Sequence, residues 1–270
     1  MSEPTASTVR LSHDGAIATL TLHRPAARNA LDLPMACALR DAVDAVAADP
    51  RVRVVLIESS GAHFMVGGDV HRFNALLGGD AQACRDEVDQ IIIAVHAAIR
   101  ALTALPSPVI GLTGGAVAGF GFSLAMACDL LVAADDVRFV LAYSAIGATL
   151  DGGASWHLPR LLGLRRALAA ALLNTPIDAR EALALGLACE VVPAAGLAAA
   201  GRRLAERLAA GPAAAQAGIK RLLRAAVDRD LPSALEAERE RFLECVMQPD
   251  FAEGVRAFAG RRAARFGVFD

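Results

Sequence analysis

The chain repeats one unit, in which a short apolar strand leads into a glycine-rich stretch and then into a helix. In the first copy, the strand VRVVLIES (52–59) precedes the loop SGAHFMVGGD (60–69) and a long amphipathic helix. In the second, SPVIGLT (107–113) precedes GGAVAGF (114–120) and the helical run GFSLAMACD (121–129). Strands that alternate with helices favour a parallel sheet covered by those helices. The sequence therefore predicts an α/β fold.

The two ends of the chain add a hairpin and a set of helices to these units. Apolar and polar residues alternate in VRLSHDGAIATLTLH (9–23) around an Asp-Gly turn, which predicts a β-hairpin. Asp32 is a candidate cap for the helix that follows. We expect a core over residues 1–195 and a C-terminal helical segment over 196–270, whose apolar faces pack on the core or on another subunit.

Composition argues against several classes of function. Of 270 residues, 55% are hydrophobic and 21% are charged, which suits a folded core and not a disordered chain. The formal net charge of -2 gives no general attraction to nucleic acid or to an anionic membrane. There is no bilayer-length apolar run and no secretory signal, so we expect a cytoplasmic protein. Neither CxxC nor HExxH occurs, so no metal is predicted.

The glycine-rich turns are the first candidate functional feature. In FMVGGDV (64–70) and GAVAGFGFSLA (115–125), glycine allows a sharp bend and close approach of a ligand. A helix N-terminus also offers unpaired N–H groups to a developing oxyanion. Alternatively, the glycines pack helices against strands, and spacing alone leaves both open. A dinucleotide-binding turn is disfavoured, because Gly115, Gly119 and Gly121 do not form GxGxxG.

Four motifs follow one another along the chain: LHRPAARNALD (22–32), GAHFMVGGDV (61–70), LPSPVIGLTGGAVAGFGFSLAMACDLLVAAD (105–135) and GGASWHLPRLLG (152–163). Together they resemble the enoyl-CoA hydratase/isomerase family, the crotonases. The resemblance implies a core of repeated ββα units, C-terminal helices that pack a homotrimer or a dimer of trimers, and an acyl-CoA thioester substrate. Coenzyme A is then part of the substrate, and no separate cofactor is implied.

The resemblance places an oxyanion hole on the backbone N–H groups of Val66 and Phe120. Removing a proton beside a thioester puts negative charge on its oxygen, which preorganised donors stabilise. The family commonly has alanine and glycine at these positions. We therefore expect the larger side chains here to narrow or redirect the acyl pocket, while the backbone donors remain.

The resemblance also implies contacts with coenzyme A and substrate. They fall on the loop before Asp32, on both glycine-rich turns and on one aromatic residue near the C-terminus, namely Ala26, Ala27, Arg28, Val66, Gly67, Gly68, Asp69, Phe120 and Phe258. For Arg28, a phosphate contact and a solvated loop position both stay open. Asp69 is expected to cap the following helix and not to react.

Hydratases of the family add water with two glutamates, and the resemblance places those positions on Ser123 and Tyr143. Serine is not acidic and tyrosine titrates near ~10, so neither suits a general base near neutral pH. Two-glutamate hydration is therefore disfavoured. We expect Tyr143 to form a pocket wall, and the Ser123 hydroxyl to bond within its own helix or to orient a water.

Asp151 is the acid that remains, and the resemblance places it where isomerases of the family keep a catalytic carboxylate. Leu150, Ala154 and Trp156 are expected to shield it from water, with no cationic partner, so that it can exchange a proton. The resemblance then implies a double-bond shift in an enoyl-CoA, or opening of a ring epoxide such as 1,2-epoxyphenylacetyl-CoA. Asp151 would take a proton from C2 and return it at C4. Alternatively, Asp151 caps the helix that starts near Ala154.

His96 keeps a different reaction open. Dehalogenases that act on 4-chlorobenzoyl-CoA resemble the chain at Asp151 and Tyr143 and carry a histidine in the helix of His96. There the aspartate is the nucleophile and the histidine the base. A structural histidine, a hydratase with non-standard residues and a catalytically silent acyl-CoA binder are further alternatives. RNA binding, found in some relatives, is disfavoured, because the matching helix (32–49) has more acidic than basic residues.

Overall fold

The computed structural model describes residues 7–267, and its largest element is a six-stranded sheet. The strand order is β1–β2–β3–β4–β6–β9, with bounds Val9–Asp14, Ile17–Leu22, Val54–Ser59, Val109–Thr113, Leu130–Ala134 and Glu190–Val192. The first two strands are antiparallel, and the pairing of Asp14 with Ile17 closes the predicted hairpin. The other neighbours are parallel. The predicted α/β class is confirmed.

A second sheet has three strands, β5 (Ala116–Ala118), β7 (Arg138–Val140) and β8 (Ile177–Asp178), in the order β5–β7–β8. Consecutive strands β4 and β5 therefore belong to different sheets, and helix α4 (Phe120–Ala127) follows directly. This is the ββα unit that the resemblance implies. The glycine-rich stretch 114–120 thus contains a strand and is not a simple loop.

Helices cover both faces of the six-stranded sheet. The remaining helices have the bounds α1 Leu33–Ala48, α2 Val70–Leu77, α3 Ala81–Ala104, α5 Ala154–Leu162, α6 Leu164–Leu173, α7 Ala179–Ala184, α8 Leu197–Ala209, α9 Ala213–Ala226, α10 Leu231–Val246 and α11 Pro249–Ala259. In β3, Val55 and Ile57 join the apolar cluster with α1 and α3, while Val54 and Leu56 join the cluster with α8. A strand buried on both faces needs this continuous apolar sequence.

Local signals explain where several helices begin and end. The Asp32 side chain accepts a hydrogen bond from the Met35 N–H at 2.9 Å, so Asp32 caps α1 as predicted. Asp80 caps α3 through the Gln82 N–H, and α3 ends two residues before Pro106.

The helices after β9 differ in how they bury their apolar faces. Helix α8 lies on the sheet so closely that a Cβ built on Gly201 would lie 2.4 Å from Leu112. Between residues 210 and 260, large apolar side chains more than 60% exposed include Leu223, Leu231, Phe242, Met247 and Phe258. Leu164, Leu172 and Leu173 of α6, which precedes β9, are exposed to the same degree. Such surfaces commonly mark interfaces. Packing against another subunit stays the prediction for this segment. Between residues 7 and 267, none of the helices could cross a membrane by length and hydropathy.

Asp129 joins the C-terminal helices to the sheet. Its carboxylate accepts hydrogen bonds from the Val109 N–H at 2.8 Å and from the Arg224 guanidinium at 2.6 Å. The Lys220 ammonium lies 2.7 Å from the same carboxylate and is only 8% exposed. Burial lowers the pKa of Lys220, and the Asp129 carboxylate opposes this shift. This cluster fixes α9 against the start of β4.

His157 of α5 is buried beside cationic groups. It is 6% exposed, and the Trp156 ring meets it edge-on. Burial, with help from the nearby Arg224 and Arg160 guanidinium groups, lowers the pKa of His157 to about 4. The native protein therefore holds this imidazole neutral at a pH where the unfolded chain already binds a proton.

Replacing Asp129 with asparagine leaves two cations of α9 without a counter-charge. We expect the free energy of unfolding to fall by about 3–5 kcal/mol, the usual cost of removing one partner of a buried ion pair. Urea denaturation measures this loss. Asp228→Asn is the matched control, because the Arg160–Asp228 pair is exposed and such pairs contribute about 0–1 kcal/mol. An equal loss of unfolding free energy in the two variants would contradict the role of Asp129 as the counter-charge of α9.

His157 should make the protein sensitive to acid. Its folded pKa lies below the unfolded value, so the stability it contributes is present above about 6.5 and is lost as the pH falls toward about 4. His157→Gln should remove up to roughly 3 kcal/mol of this loss. Urea unfolding across this pH window measures the difference, with the exposed His71→Gln as control. If the unfolding free energy of both variants depends on pH in the same way, His157 is not the source of the acid sensitivity.

Candidate active site

The first glycine-rich loop and the turn before α4 touch through their backbones. Gly67 and Gly119 have φ values of +88° and +52°, and a Cβ built on either would lie 3.2–3.3 Å from the α carbon of the other. Beside this contact, Met65 pairs with Val117 as in a parallel sheet. Both glycines are therefore required by conformation and by space.

This contact brings together the chain neighbours of the two glycines, Val66 and Phe120. Phe120 is the first residue of α4, where an N–H has no partner within the helix. No hydrogen bond joins the N–H of Val66 or Phe120 to another group of residues 7–267. The arrangement thus leaves two backbone donors on touching segments, as an oxyanion hole requires.

The Asp151 carboxylate has a partner that its local sequence does not show. His96 Nε2 lies 2.7 Å from Asp151 Oδ1, and the two side chains are 44% and 23% exposed. The expectation of a shielded acid with no basic partner is therefore wrong. His96 lies on α3, far away in sequence, and only the fold brings it to Asp151.

Asp151 does not cap the helix that follows it. The N-cap position of α5 is Gly153, with φ +82°, and no side chain caps that helix. Asp151 contributes its backbone carbonyl instead, which accepts a hydrogen bond from the Ala154 N–H at 3.2 Å. The alternative of a capping aspartate is therefore wrong, and the carboxylate is left for His96.

Ser123 and Tyr143 contact the backbone of Asp151. The Ser123 hydroxyl donates to the Asp151 carbonyl at 2.8 Å, and the Tyr143 hydroxyl lies 3.3 Å from the same oxygen. The two hydroxyls are 3.0 Å apart. Burial raises the pKa of Tyr143, which keeps the phenol protonated. The expectation that Ser123 bonds within its own helix is wrong.

The turn that carries Asp151 packs directly on the first turn of α4. A Cβ built on Gly152 would lie 2.7 Å from the Phe120 ring and 2.9 Å from Ser123 Cβ. Phe120 is 3% exposed, so its ring is held in this contact. The predicted acid and one predicted oxyanion donor therefore belong to one packed unit.

Trp156 does not form the expected wall beside Asp151. Its ring lies 4.1 Å from the Arg160 guanidinium carbon and is 38% exposed. It lines a cavity of about 790 Å³ between α3, α5, α9 and α10, which is lined by neither His96 nor Asp151. Leu150 and Ala154, in contrast, pack with the main apolar cluster.

The segments predicted to contact coenzyme A lie side by side. Ala26 and Ala27 belong to a short turn, and Arg28 follows with an exposed side chain. Three residues on, the Leu31 N–H donates to the Gly67 carbonyl at 2.8 Å. The two loops thus form one surface. Phe258 is 89% exposed on α11, a helix that packs on α10.

Asp69 caps α2, as predicted, by accepting a hydrogen bond from the Arg72 N–H at 3.1 Å. Burial alone would raise the pKa of Asp69, but hydrogen bonds from the Arg72 N–H and the Arg24 guanidinium hold it below its usual value. Arg24 also pairs with Asp32. Sequence reasoning missed Arg24 as the residue that ties these loops together, although it stands in the first motif.

Asn29 was also missed by sequence reasoning. It is fully buried, and its side-chain amide donates to the carbonyls of Ser60 and His63 at 3.0 and 2.9 Å. Its φ of +55° is unusual for a residue other than glycine. The adjacent Arg28 and Asn29 in the first motif were the sequence signal that could have pointed to Asn29. Across residues 7–267, no cluster of three or more histidine, cysteine or acidic side chains is placed to hold a metal.

Comparison with known proteins decides the family. The sequence matches Enoyl-CoA hydratase/isomerase over residues 12–268. The chain belongs to this family. It is 33% identical to the 1,2-epoxyphenylacetyl-CoA isomerase of Escherichia coli, covering 95% of this chain and 97% of that protein. The crystal structure of an enoyl-CoA hydratase from Polaromonas sp. JS666 superposes with a TM-score of 0.88, at 34% identity over 96% of this chain and 99% of that one.

A further relative is the 4-chlorobenzoyl coenzyme A dehalogenase-2 of an Arthrobacter species, which is 27% identical over 97% of this chain and 94% of that protein. The predicted crotonase fold and the family are therefore confirmed. Enoyl-CoA hydratase/isomerase proteins act on CoA thioesters, so the substrate class follows. Names of relatives include hydratase, isomerase and dehalogenase, so the type of reaction has to be argued from this chain's own residues.

Gly67→Ala should separate the two touching loops. Gly147→Ala is the matched control, because Gly147 also has a positive φ, +72°, but a Cβ there would meet nothing within 4 Å. Both variants should lose roughly 1 kcal/mol of stability from the backbone conformation. Only Gly67→Ala should also lose turnover of an enoyl-CoA, by about a hundredfold, since oxyanion donors contribute that much. Similar turnover in the two variants would contradict the proposed hole.

Proposed function

We propose that the protein isomerises an acyl-CoA thioester, either by shifting the double bond of an enoyl-CoA or by rearranging a ring epoxide, with Asp151 as acid and base. The observation that carries this proposal is the packing of the turn at Gly152, next to Asp151, on the side chain of Phe120, which brings the acid's turn and one predicted oxyanion donor into contact. At the two positions of the hydratase glutamates, Ser123 and Tyr143 offer hydroxyl groups that point to the Asp151 carbonyl.

The chemistry needs one base and one oxyanion site. Asp151 takes a proton from C2 of the acyl chain, and the electron pair moves onto the thioester oxygen. The N–H groups of Val66 and Phe120 stabilise that charge by several kcal/mol. Asp151 then returns the same proton at C4 as the double bond moves to C2–C3. Atoms and charges balance without a further reactant.

His96 supports this role by holding one oxygen of the base. With the carboxylate ionised, the Nε2–H of His96 donates to Asp151 Oδ1 at 2.7 Å. Oδ2 receives no hydrogen bond from residues 7–267. Oδ2 is therefore the oxygen that we assign to the moving proton.

The substrate is proposed to enter over the surface formed by Ala26, Ala27, Arg28 and the loop Val66–Asp69, with Phe258 near the nucleotide. No separate cofactor is proposed, because coenzyme A is part of the substrate. The exposed apolar side chains of α6, α9, α10 and α11 suit the homotrimer or dimer of trimers that the resemblance implies.

A second candidate function is hydrolytic dehalogenation of an aryl-CoA. The contact between His96 and Asp151 favours it, because a nucleophilic carboxylate and a nearby base are its two requirements. Asp151 would attack the halogenated ring carbon, halide would leave, and His96 would deprotonate the water that hydrolyses the aryl ester. The Arthrobacter relative carries this activity in its name.

Asp151→Asn separates these possibilities when tested with 3-enoyl-CoA, 2-enoyl-CoA and 4-halobenzoyl-CoA. We expect the wild type to convert 3-enoyl-CoA to 2-enoyl-CoA, and Asp151→Asn to lose about 10³-fold or more, since the general base is removed. CoA-thioester binding, measured by calorimetry, should persist in the variant. Asp178→Asn is the control, because Asp178 is an exposed helix cap on α7.

Other outcomes of this experiment identify the alternatives. Release of halide from 4-halobenzoyl-CoA supports the dehalogenase, and conversion of 2-enoyl-CoA to 3-hydroxyacyl-CoA alone supports a hydratase. Equal turnover by wild type and Asp151→Asn would remove Asp151 from the mechanism. Binding of every thioester with no turnover would identify a silent acyl-CoA binder.

A further inference from the structure

Three donors lie around the backbone carbonyl of Asp151. It accepts the Ser123 hydroxyl at 2.8 Å and the Ala154 N–H at 3.2 Å, and the Tyr143 hydroxyl lies at 3.3 Å. Ser123 comes from α4 and Tyr143 from the segment after β7, so two separate elements converge on one oxygen. A single carbonyl in a turn needs only one partner to be satisfied.

The donors also connect Asp151 to the predicted oxyanion hole. Ser123 lies three residues after Phe120, and residues with this spacing share one face of a helix. Both side chains touch the same turn, since a Cβ on Gly152 would collide with each of them. The distance between the Asp151 carboxylate and the Phe120 N–H is therefore set by this face of α4.

We propose that Ser123 and Tyr143 are positioning residues, whose hydroxyls hold the Asp151 turn so that Oδ2 reaches the substrate held in the oxyanion hole. This inference rests on the proposed function. The two side chains act through the Asp151 backbone, whereas His96 holds Oδ1 of the side chain. The positions that carry acid–base groups in hydratases thus serve here to fix a different acid.

Direct proton transfer by either hydroxyl fits the contacts less well. Ser123 is fully buried and directs its only proton to the Asp151 carbonyl. Burial raises the pKa of Tyr143, so the phenol stays protonated near neutral pH and remains a hydrogen-bond donor. A neutral, hydrogen-bonded pair is suited to hold a neighbour and not to titrate.

Ser123→Ala, Tyr143→Phe and the double variant test this proposal on 3-enoyl-CoA. We expect kcat to fall about tenfold in each single variant and about a hundredfold in the double, as for a small misplacement of a catalytic group. KM should stay within about twofold, because no contact with the CoA part is lost. The pH profile of kcat/KM should keep its shape, whereas loss of a titrating group would remove one limb.

Ser144→Ala is the matched control, because the Ser144 hydroxyl lies beside Tyr143 in sequence but donates to the Ala171 carbonyl. It should leave kcat unchanged. Urea denaturation checks that the variants fold, and Tyr143→Phe keeps the ring, so it tests the hydroxyl even if Ser123→Ala unfolds. Wild-type kcat in Tyr143→Phe and in the double variant would overturn the proposal.

Amide hydrogen exchange over residues 150–154 separates this proposal from the proposed function, because it needs no substrate. Faster exchange in the double variant supports the positioning role even if the wild type turns over no 3-enoyl-CoA, in which case the proposed function alone fails. If the wild type is active, Asp151→Asn is inactive and the double variant matches the wild type in kcat and exchange, the positioning role alone fails.

Discussion

The contact between Gly67 and Gly119 is the constraint on which the rest of the site depends. Two loops from separate ββα units approach until their α carbons leave no room for a side chain. That approach fixes where α4 begins, and with it the N–H of Phe120. Since the Asp151 turn packs on Phe120 and Ser123, the position of the acid is set by the same contact. The predicted hole and the proposed acid therefore belong to one packed arrangement.

The surroundings of Asp151 differ from those expected of a carboxylate isolated among apolar residues. A carboxylate isolated by apolar residues would depend on desolvation for its reactivity. Here the side chain is 23% exposed and hydrogen-bonded to His96. Its two oxygens consequently differ, because Oδ1 is hydrogen-bonded to His96 and Oδ2 receives no hydrogen bond from residues 7–267. The fold therefore orients this carboxylate and does not isolate it from water.

Features that depend on neighbouring residues could be predicted from the sequence, and features that depend on contacts across the fold could not. The β1–β2 hairpin and the caps at Asp32 and Asp69 follow from local chemistry, and all three were predicted. The strand β5 was missed because its three residues stand among glycines, and it forms by pairing with β7 and with Met65, which lies far away in sequence.

The errors at Asp151 have the same origin. Its partner His96 is 55 residues away, so no local pattern could show it. Trp156 was placed beside Asp151 because it is near in sequence, but α5 starts between them and carries the ring toward Arg160. The loops, in contrast, are built by residues of the sequence motifs themselves, among them Arg24 and Asn29.

Ser123 and Tyr143, which stand where the resemblance places the two hydratase glutamates, fit the proposed reaction with a single base. Adding water across a double bond needs groups that place and activate a water molecule while a proton moves to carbon. Moving a double bond needs one base that reaches C2 and C4 in turn from one side of the chain. Such a base must be held by its backbone yet keep one oxygen free. Hydroxyl groups on the Asp151 carbonyl and an imidazole on Oδ1 meet both conditions.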